Sequence, residues 1–225
     1  MLYDIIIRKG ILNGFLSKLS MILYFFWDES VNYEDNKADE EIVNDVINGD
    51  KEKFYIIIEK WQPKIQRYVY YHFNFDKETA GEVTQEIFLH LWNKLEKFDD
   101  KYYFSSWLYR LAYNFCVDWL RKNKQQNNVW SLEDFENNIK EDFESKEFEN
   151  EYKRKLLEML LTQLDYKYKN VIILYYFEEK SYDEISEIMD ISKSSVGTLL
   201  TRSKGKLKEI IEKNSRLSDA LELDL

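Results

Sequence analysis

Two stretches of the sequence decide the fold, AGEVTQEIFLHLWNKLEKFDDKYYFSSWLYRLAYNFCVDWLRKNK at residues 80–124 and SYDEISEIMDISKSSVGTLLTRSKGKLKEIIEK at residues 181–213. Apolar residues recur every three or four positions in both stretches, which is typical of amphipathic helices. The 225 residues include only six glycines and one proline. No strand-like alternation, long repeat or metal-ligand spacing is present. The sequence therefore predicts an all-α protein with no metal site and no cofactor.

The region upstream of the first stretch, together with that stretch, predicts a four-helix bundle. Asp50 and Asp76 each precede a helix and are predicted to be its N-cap, and Pro63 is predicted to kink the second helix. Val83, Ile87, Leu91 and Leu95 are spaced as a buried seam. The four predicted helices are Glu40–Asn48, Lys51–Tyr71, Lys77–Leu95 and one from Ser105 or Ser106 to about Asn123.

The region that ends with the second stretch predicts a smaller four-helix domain. Ser181 and Glu184 have the spacing of a capping box, and Asp190–Ser192 is a short turn between two helices. Two helices joined by so short a turn, the second rich in lysine, are typical of a helix-turn-helix that reads DNA. A protein-interaction module with a solvated lysine face remains an alternative. The predicted helices are Phe148–Leu164, Lys167–Phe177, Tyr182–Met189 and Lys193–Lys213.

The charge distribution limits how this chain can meet nucleic acid. The formal net charge is −10, which argues against DNA binding by the whole surface. Acidic residues concentrate at 29–50 and 133–151, whereas basic residues gather at 110–124 and 193–213. A protein that is locally basic but globally acidic is expected to bind DNA poorly alone and to need a partner. The single Cys116 excludes a disulfide framework, fits a reducing compartment and is expected to be a packed thiol.

The predicted helix after Ser105 has two faces. Leu108, Leu111, Ala112, Phe115 and Trp119 share one sector at 100° per residue, whereas Arg110, Asn114 and Arg121 lie opposite. A basic face beside an aromatic-rich turn (residues 96–104) suits single-stranded nucleic acid, because bases stack on rings. Ordinary amphipathicity with the aromatic rings in a core is the alternative.

Glu86 and His90, four residues apart, lack a third metal ligand and are expected to form an exposed polar face.

The order of these motifs resembles the sigma-70 family of bacterial RNA polymerase sigma factors, of the small extracytoplasmic-function type, over roughly residues 40–213. Gly81 departs from the pattern where an acidic residue is usual, and Leu199 departs where arginine is usual. The family landmarks in the first stretch are Ala80, Glu82, Val83, Thr84, Gln85, Glu86, Ile87, Phe88, Leu91 and Trp92, followed by Phe104, Trp107, Leu108, Arg110, Ala112, Asn114, Asp118 and Arg121. Those in the carboxy-terminal region are Leu164, Leu174, Tyr175 and Phe177, followed by Tyr182, Glu184, Ile185 and Ile188 of the second stretch.

The resemblance implies a site for each partner. Core polymerase, through the clamp of its largest subunit and its flap, would meet the residues Glu82, Gln85, Glu86, Phe88 and Trp92. The −10 promoter element would meet Phe98, Tyr102, Phe104, Trp107, Arg110, Tyr113, Asn114, Arg121 and Lys122. The −35 element would meet Ser181, Tyr182, Lys193, Ser194, Ser195, Thr198, Arg202, Lys204 and Lys206. An anti-sigma factor is a further partner in this family.

The resemblance also implies a domain organisation. The predicted domains are a region 2-like domain at 40–124, an acidic linker at 125–147 and a region 4-like domain at 148–213, with a tail at 214–225. The N-terminal extension, 1–39, contains a strongly apolar segment that is too short and too charged for a clear membrane span. A non-essential or wrongly assigned leader, an amphipathic surface helix and a true span remain open, so membrane contact is expected only if this segment is real.

The functional prediction is a cytoplasmic, non-enzymatic initiation factor. It would join core polymerase, open the −10 element with the first domain and read the −35 element with the second. The alternative is a stand-alone helix-turn-helix regulator, which would need a dimerisation or ligand domain that the sequence does not show.

Overall fold

The computed structural model describes residues 37–74, 76–122 and 155–213. The predicted N-terminal apolar segment, the acidic linker, the beginning of the helix predicted at 148–164 and the tail lie outside the described residues. All regular elements that the described residues form are helical, which agrees with the predicted all-α class. They are α1 (Lys37–Ile47), α2 (Phe54–His72), α3 (Lys77–Lys94), α4 (Phe104–Lys122), α5 (155–162), α6 (Tyr166–Ile172), α7 (Tyr182–Met189) and α8 (Lys193–Glu212), with 3₁₀ turns at Lys51–Lys53 and Leu95–Lys97 and a π-helical turn at Ile173–Phe177.

One of the two predicted N-caps is present in the structure and the other is not. Asp76 accepts hydrogen bonds from the backbone N–H of Glu78 at 3.0 Å and of Thr79 at 3.4 Å, which confirms it as the N-cap of α3. The prediction for Asp50 is wrong. A 3₁₀ turn separates Asp50 from α2, so its carboxylate makes no capping hydrogen bond and lies instead 3.4 Å from Lys53 Nζ. Pro63 lies inside α2, which runs on through it, and the kink stays a prediction.

The described residues divide into two compact units. The first unit contains residues 37–122, apart from 75, together with 180–196, and the second contains 155–179 and 197–213. Helix α7 therefore groups with α1–α4, although it lies between segments of the second unit in the sequence. The predicted domain boundaries at 124 and 148 stay a prediction.

The core of the first unit is unusually aromatic. Trp61 and Tyr68 of α2 meet Tyr109 of α4 edge to face, with ring centroids 6.3 and 5.3 Å apart. Phe104 approaches Trp61 in the same way at 6.2 Å. All four rings are at most 1% exposed. Edge-to-face contacts of this kind add to the stabilisation from burial, so they fix α4 against α2.

Buried aliphatic residues and two long-range polar contacts complete the first unit. The predicted seam of α3 is confirmed, because its four aliphatic side chains are at most 3% exposed. Glu40 of α1 accepts a hydrogen bond from the backbone N–H of Phe104, the first residue of α4. A carboxylate at a helix N-terminus satisfies an otherwise unpaired donor and complements the helix dipole. Lys60 of α2 also holds α1 in place, because its Nζ lies 2.8 Å from Asp39 Oδ1.

The second unit packs α5, α6 and the later turns of α8. The helix predicted at Lys167–Phe177 starts one residue earlier and changes to a π-helical turn at Ile173. Ser203 of α8 is fully buried and donates a hydrogen bond to the carbonyl of Tyr168 at 3.1 Å. Among the described residues, no helix has the length and apolar character needed to cross a membrane.

Lys169 is a buried lysine in this second unit. It is 4% exposed, and burial lowers its pKa to about 7. Between pH 7 and 10.5 the unfolded chain therefore keeps a proton on this lysine that the folded chain has released. The stability of the wild type must then rise with pH across that interval, because the unfolded state binds more protons.

We therefore expect Lys169→Met to be more stable than the wild type at pH 7, with an advantage that shrinks as the pH rises. The expected change is about 1 kcal/mol per pH unit between pH 7 and 10. Urea unfolding of both proteins at several pH values measures this difference. Lys167→Met, at an exposed neighbouring position, is the control. An advantage for Lys169→Met that does not depend on pH would contradict the prediction.

Candidate functional site

Helix α3 presents a continuous exposed stripe on the face opposite its buried seam. Because helical residues three and four apart are neighbours, this stripe forms one surface. Its polar members, at the N-terminal end, are three of the predicted polymerase-binding residues. Trp92, at the other end, is 38% exposed and meets Phe54 of α2 edge to face at 4.8 Å. The α3 stripe consists of Glu82, Gln85, Glu86, Leu89 and Trp92.

Two residues differ from the predicted composition of the α3 stripe. Phe88 is only 7% exposed, so its ring packs in the bundle and does not fit a direct contact with a partner. Leu89, which was not predicted, is 65% exposed, the largest exposed fraction among the large apolar side chains described. The spacing of Leu89 from Gln85 and Trp92, four and three residues, was the available signal.

A cleft of about 570 Å³ lies between α3 and α4. It combines aromatic rings with cations, the two groups that hold bases and phosphates in single-stranded nucleic acid. Four of the predicted −10 residues, Trp107, Arg110, Asn114 and Lys122, line it. The α3–α4 cleft is lined by Glu86, His90, Lys94, Trp107, Arg110, Leu111, Asn114, Phe115, Asp118, Trp119 and Lys122.

His90 lines the cleft, whereas the sequence predicted only an exposed polar face at this position. Its ring lies 5.9 Å from that of Phe115, so it joins an aromatic wall instead of forming only a polar face. Burial and, to a lesser extent, the positive charge of Lys94 lower its pKa below the usual value. At neutral pH the imidazole is therefore uncharged and able both to donate and to accept a hydrogen bond. Phe115 and Trp119, which belong to the apolar sector of α4, are half-buried and line the same cleft.

The other predicted −10 residues are distributed between core and surface. Phe104 is fully buried and Phe98 is 9% exposed, with ring centroids 5.6 Å apart, and this burial does not fit stacking of bases on either ring. Tyr102 is 57% exposed in the turn before α4. Tyr113 is half-buried, and burial raises its pKa. Arg121 is exposed and pairs with Asp118 at 3.0 Å.

Hydroxyl groups cluster at the start of α8, where the helix-turn-helix prediction places the base-reading residues. Ser192 Oγ lies 3.0 Å from Ser194 Oγ and 2.8 Å from Ser195 Oγ, and it accepts from the Ser195 N–H at 3.2 Å. Lys193 is exposed and pairs with Asp183 of α7 at 2.7 Å. A short polar side chain at a helix start can both cap the helix and contact a base edge.

Ser181 and Tyr182 begin α7. The predicted capping box is confirmed: Ser181 Oγ accepts from the Glu184 N–H at 3.2 Å, while Glu184 Oε2 accepts from the Ser181 N–H at 2.8 Å. The serine hydroxyl is therefore already used within the helix start. Tyr182 is 36% exposed.

The predicted phosphate-binding residues in the later turns of α8 differ in their surroundings. Arg202 is exposed and has no ion-pair partner in the part of the chain that the structure describes, and Thr198 on the preceding turn is exposed too. Lys204 Nζ instead lies 5.5 Å from the ring centroid of Tyr176, and burial lowers its pKa. Lys206 Nζ lies 5.0 Å from the ring of Tyr168 and 3.7 Å from Asp165.

Metal-ligating side chains do not cluster in the described residues. No group of three or more His, Cys, Asp or Glu side chains in the ranges 37–74, 76–122 and 155–213 is placed to hold a metal ion. Cys116 is a free, buried thiol, which agrees with the expectation of a packed side chain. The candidate functional surfaces are therefore the α3 stripe, the α3–α4 cleft and the exposed side chains of α8.

Comparison with known proteins identifies the family. Sigma-70 region 2 matches residues 57–126 and sigma-70 region 4 matches residues 154–207. The RNA polymerase sigma factor YlaC of Bacillus subtilis is 30% identical over 138 residues, covering 61% of this chain and 80% of the relative. The ECF RNA polymerase sigma factor SigW of the same organism is 29% identical over 180 residues, covering 74% and 93%.

Solved structures agree on the fold. The structure of CnrH in complex with the cytosolic domain of CnrY matches with a TM-score of 0.58 at 19% identity, covering 79% of this chain and 99% of that chain. The sigma factor RpoE of Bartonella quintana, in complex with the anti-sigma factor NepR, matches with a TM-score of 0.55 at 15% identity, covering 77% and 99%.

The chain belongs to the sigma-70 family of RNA polymerase sigma factors, in its extracytoplasmic-function group. Sigma factors are non-catalytic initiation factors that bind core RNA polymerase and direct it to promoters through the −10 and −35 elements. The predicted family, fold class and general function are confirmed, and the interpretation as a stand-alone regulator is set aside.

The different surroundings of Arg202 and Lys204 lead to a prediction about DNA binding. Arg202→Gln should weaken promoter binding by the assembled holoenzyme several-fold and reduce its salt dependence, because a phosphate contact releases about one counterion. Lys204→Gln should have a smaller effect, because that ammonium group already lies against Tyr176. Binding measured between about 50 and 200 mM salt distinguishes the two variants. An equal loss of salt dependence in both would contradict this assignment.

Proposed function

We propose that this protein uses three surfaces in transcription initiation, which are the α3 stripe, the α3–α4 cleft and α8. The α3 stripe docks on core polymerase at its largest-subunit clamp, the α3–α4 cleft holds the opened −10 strand, and the start of α8 reads the −35 element. The chain has no catalytic activity of its own and works in the cytoplasm. The domains at 40–124 and 148–213 carry these functions, joined by the linker at 125–147.

The observation that carries this proposal is the composition of the α3 stripe. Two carboxylates and an amide stand beside two exposed apolar side chains on one helix face. Such a surface suits a partner that offers arginine or lysine next to apolar residues, because paired charges give orientation while buried apolar area gives affinity. The exposed Leu89 has no structural purpose within the bundle, since the opposite face of α3 already supplies the core.

The chemistry of the α3–α4 cleft supports a role in strand capture. Arg110 and Lys122 can hold phosphates, while Asn114 and neutral His90 can donate to and accept from base edges. Trp107 and Trp119 provide faces on which bases stack. Tyr102, outside the cleft, is exposed enough to continue this surface into the turn before α4.

An anti-sigma factor is a proposed additional partner. The complexes of CnrH with CnrY and of RpoE with NepR are among the similar structures. A protein inhibitor would be expected to compete for the same exposed groups that meet polymerase and DNA.

Leu89 provides a direct test of the docking surface. Leu89→Glu should weaken binding to core polymerase by about tenfold or more, because a charge would be buried where an apolar contact is lost. The fold should be retained, because the side chain is 65% exposed. Tyr55→Glu, at a similarly exposed apolar residue of α2, is the matched control. Competition binding to core polymerase measures both. Equal affinity of Leu89→Glu and wild type would remove Leu89 from the interface.

Run-off transcription tests the function as a whole. Purified core polymerase, with genomic fragments that include the region upstream of this chain's own coding sequence, should give new start sites only when the protein is added. Footprints on those fragments should cover −10 and −35 elements. Absence of new transcripts, together with a specific footprint by the protein alone, would show a classical DNA-binding regulator and overturn the proposal.

A further inference from the structure

Gly81 is a glycine inside a helix that the fold itself does not require. It lies in the second turn of α3 and has an ordinary helical backbone, unlike Gly49, which has a positive φ of 116°. A glycine within a helix is destabilising relative to alanine, because it loses more backbone freedom on folding. The fold therefore gains nothing from the conformational freedom of Gly81.

The space beside Gly81 is open. A Cβ atom on this residue would have Gln66 Nε2 of α2, at 4.0 Å, as its nearest described neighbour beyond the adjoining residues and its own helix backbone. This distance is ordinary van der Waals contact, so the bundle would accept alanine here. Because no described side chain occupies the gap, the close approach that a glycine allows is available to a partner.

Gly81 lies where the α3 stripe borders α2. It stands about 40° around the helix from Gln85, a member of the stripe four residues later. Phe54 of α2 meets Trp92 near the end of α3, and Gln66 of α2 lies beside Gly81 near its start, so the two helices run antiparallel along this border. The gap at Gly81 is therefore an edge of the proposed docking surface, and the surface reaches α2 there.

Three exposed polar side chains lie next to the gap, namely those of Gln66, Glu82 and Gln85. Within residues 37–74, 76–122 and 155–213, none of the three has a hydrogen-bond or ion-pair partner. Each offers an oxygen that accepts hydrogen bonds, and Glu82 carries a negative charge. Lys77 and Glu78, on the preceding turn, have opposite charges, so the local surplus is negative. The gap therefore suits a positively charged donor.

We propose that Gly81 is a specificity-determining residue of the docking surface, where the missing side chain makes room for a cationic side chain of core polymerase. A guanidinium group suits this gap, because it is flat and its five N–H donors can reach several oxygens at once. A methyl group at position 81 would lift the cation away from these acceptors. The inference rests on the proposed docking role of the α3 stripe, and it adds Gln66 of α2 to that surface.

Gly81→Ala tests the gap, because it should change stability and docking in opposite directions. The variant should unfold about 2 °C above the wild type, since alanine is the better helix former. It should nevertheless bind core polymerase about fivefold more weakly, since the added methyl group overlaps with the partner. Thermal unfolding and competition binding to core polymerase measure the two effects.

Gly205→Ala is the matched control. Gly205 is exposed within α8, and a Cβ atom there would meet nothing within 4 Å. This variant should also gain stability, because it makes the same exchange inside a helix. Its affinity for core polymerase should equal that of the wild type, so the comparison separates the gap at Gly81 from a general effect of a stiffer helix.

Gln66 tests the charge of the occupant. Gln66→Glu should tighten binding to core polymerase and Gln66→Lys should weaken it, because a cation held beside Gly81 would meet an opposite or a like charge. The two variants should differ about tenfold in affinity. Asn48→Glu and Asn48→Lys, at an exposed position after α1, make the same changes in net charge and correct for long-range effects.

Three results would overturn the inference. They are wild-type affinity in Gly81→Ala, an equal loss of affinity in Gly205→Ala, and equal affinities of the two Gln66 variants after correction by the Asn48 pair. Failure of the proposed docking surface differs from these, because Leu89→Glu would then also bind core polymerase like the wild type. Loss of affinity in Leu89→Glu with none in Gly81→Ala would keep the docking surface and remove Gly81 from it.

Discussion

The packing of the first unit depends on the side chain of Tyr109. Its ring meets Trp61 and Tyr68 of α2 edge to face, and Lys180 lies over it. The tyrosine thus fixes α4 against α2 and supplies the surface on which the segment before α7 rests. Because α4 also forms one wall of the α3–α4 cleft, the same aromatic cluster determines where the proposed strand-binding groups stand. Aromatic packing has defined geometry, so small changes here would move the cleft as well as the core.

Cations in this protein are held by internal partners more than its sequence suggests. Arg110 pairs with Asp190, Lys193 with Asp183, and Lys206 with Asp165. Each exposed pair contributes little to stability, but each also lowers the number of cations that are free to meet phosphate. With a net charge of −10, such pairing agrees with the expectation from the sequence that the free protein binds DNA poorly and needs a partner.

Local patterns predicted well wherever local physics decides the outcome. The cap at Asp76, the capping box at Ser181 and the buried seam of α3 follow from spacing alone, because caps and helix faces depend on residues within four positions. The cap at Asp50 failed because a 3₁₀ turn intervened, which the sequence does not signal. Of the residues predicted for the site, the polar members of the α3 stripe are exposed, whereas Phe88, Phe98 and Phe104 are packed inside the bundle.

The sequence by itself determined the all-α class, the family and the order of the helices, because apolar periodicity and short-range capping depend only on residues that are close together in the chain. Only the tertiary structure decided which aromatic rings are buried, since a ring on an amphipathic helix can face a core or a ligand equally well. It also decided that His90 joins a cleft, that Leu89 stays exposed, and that α7 rests on α4. Each of these depends on contacts between residues far apart in the chain, which no local pattern can specify.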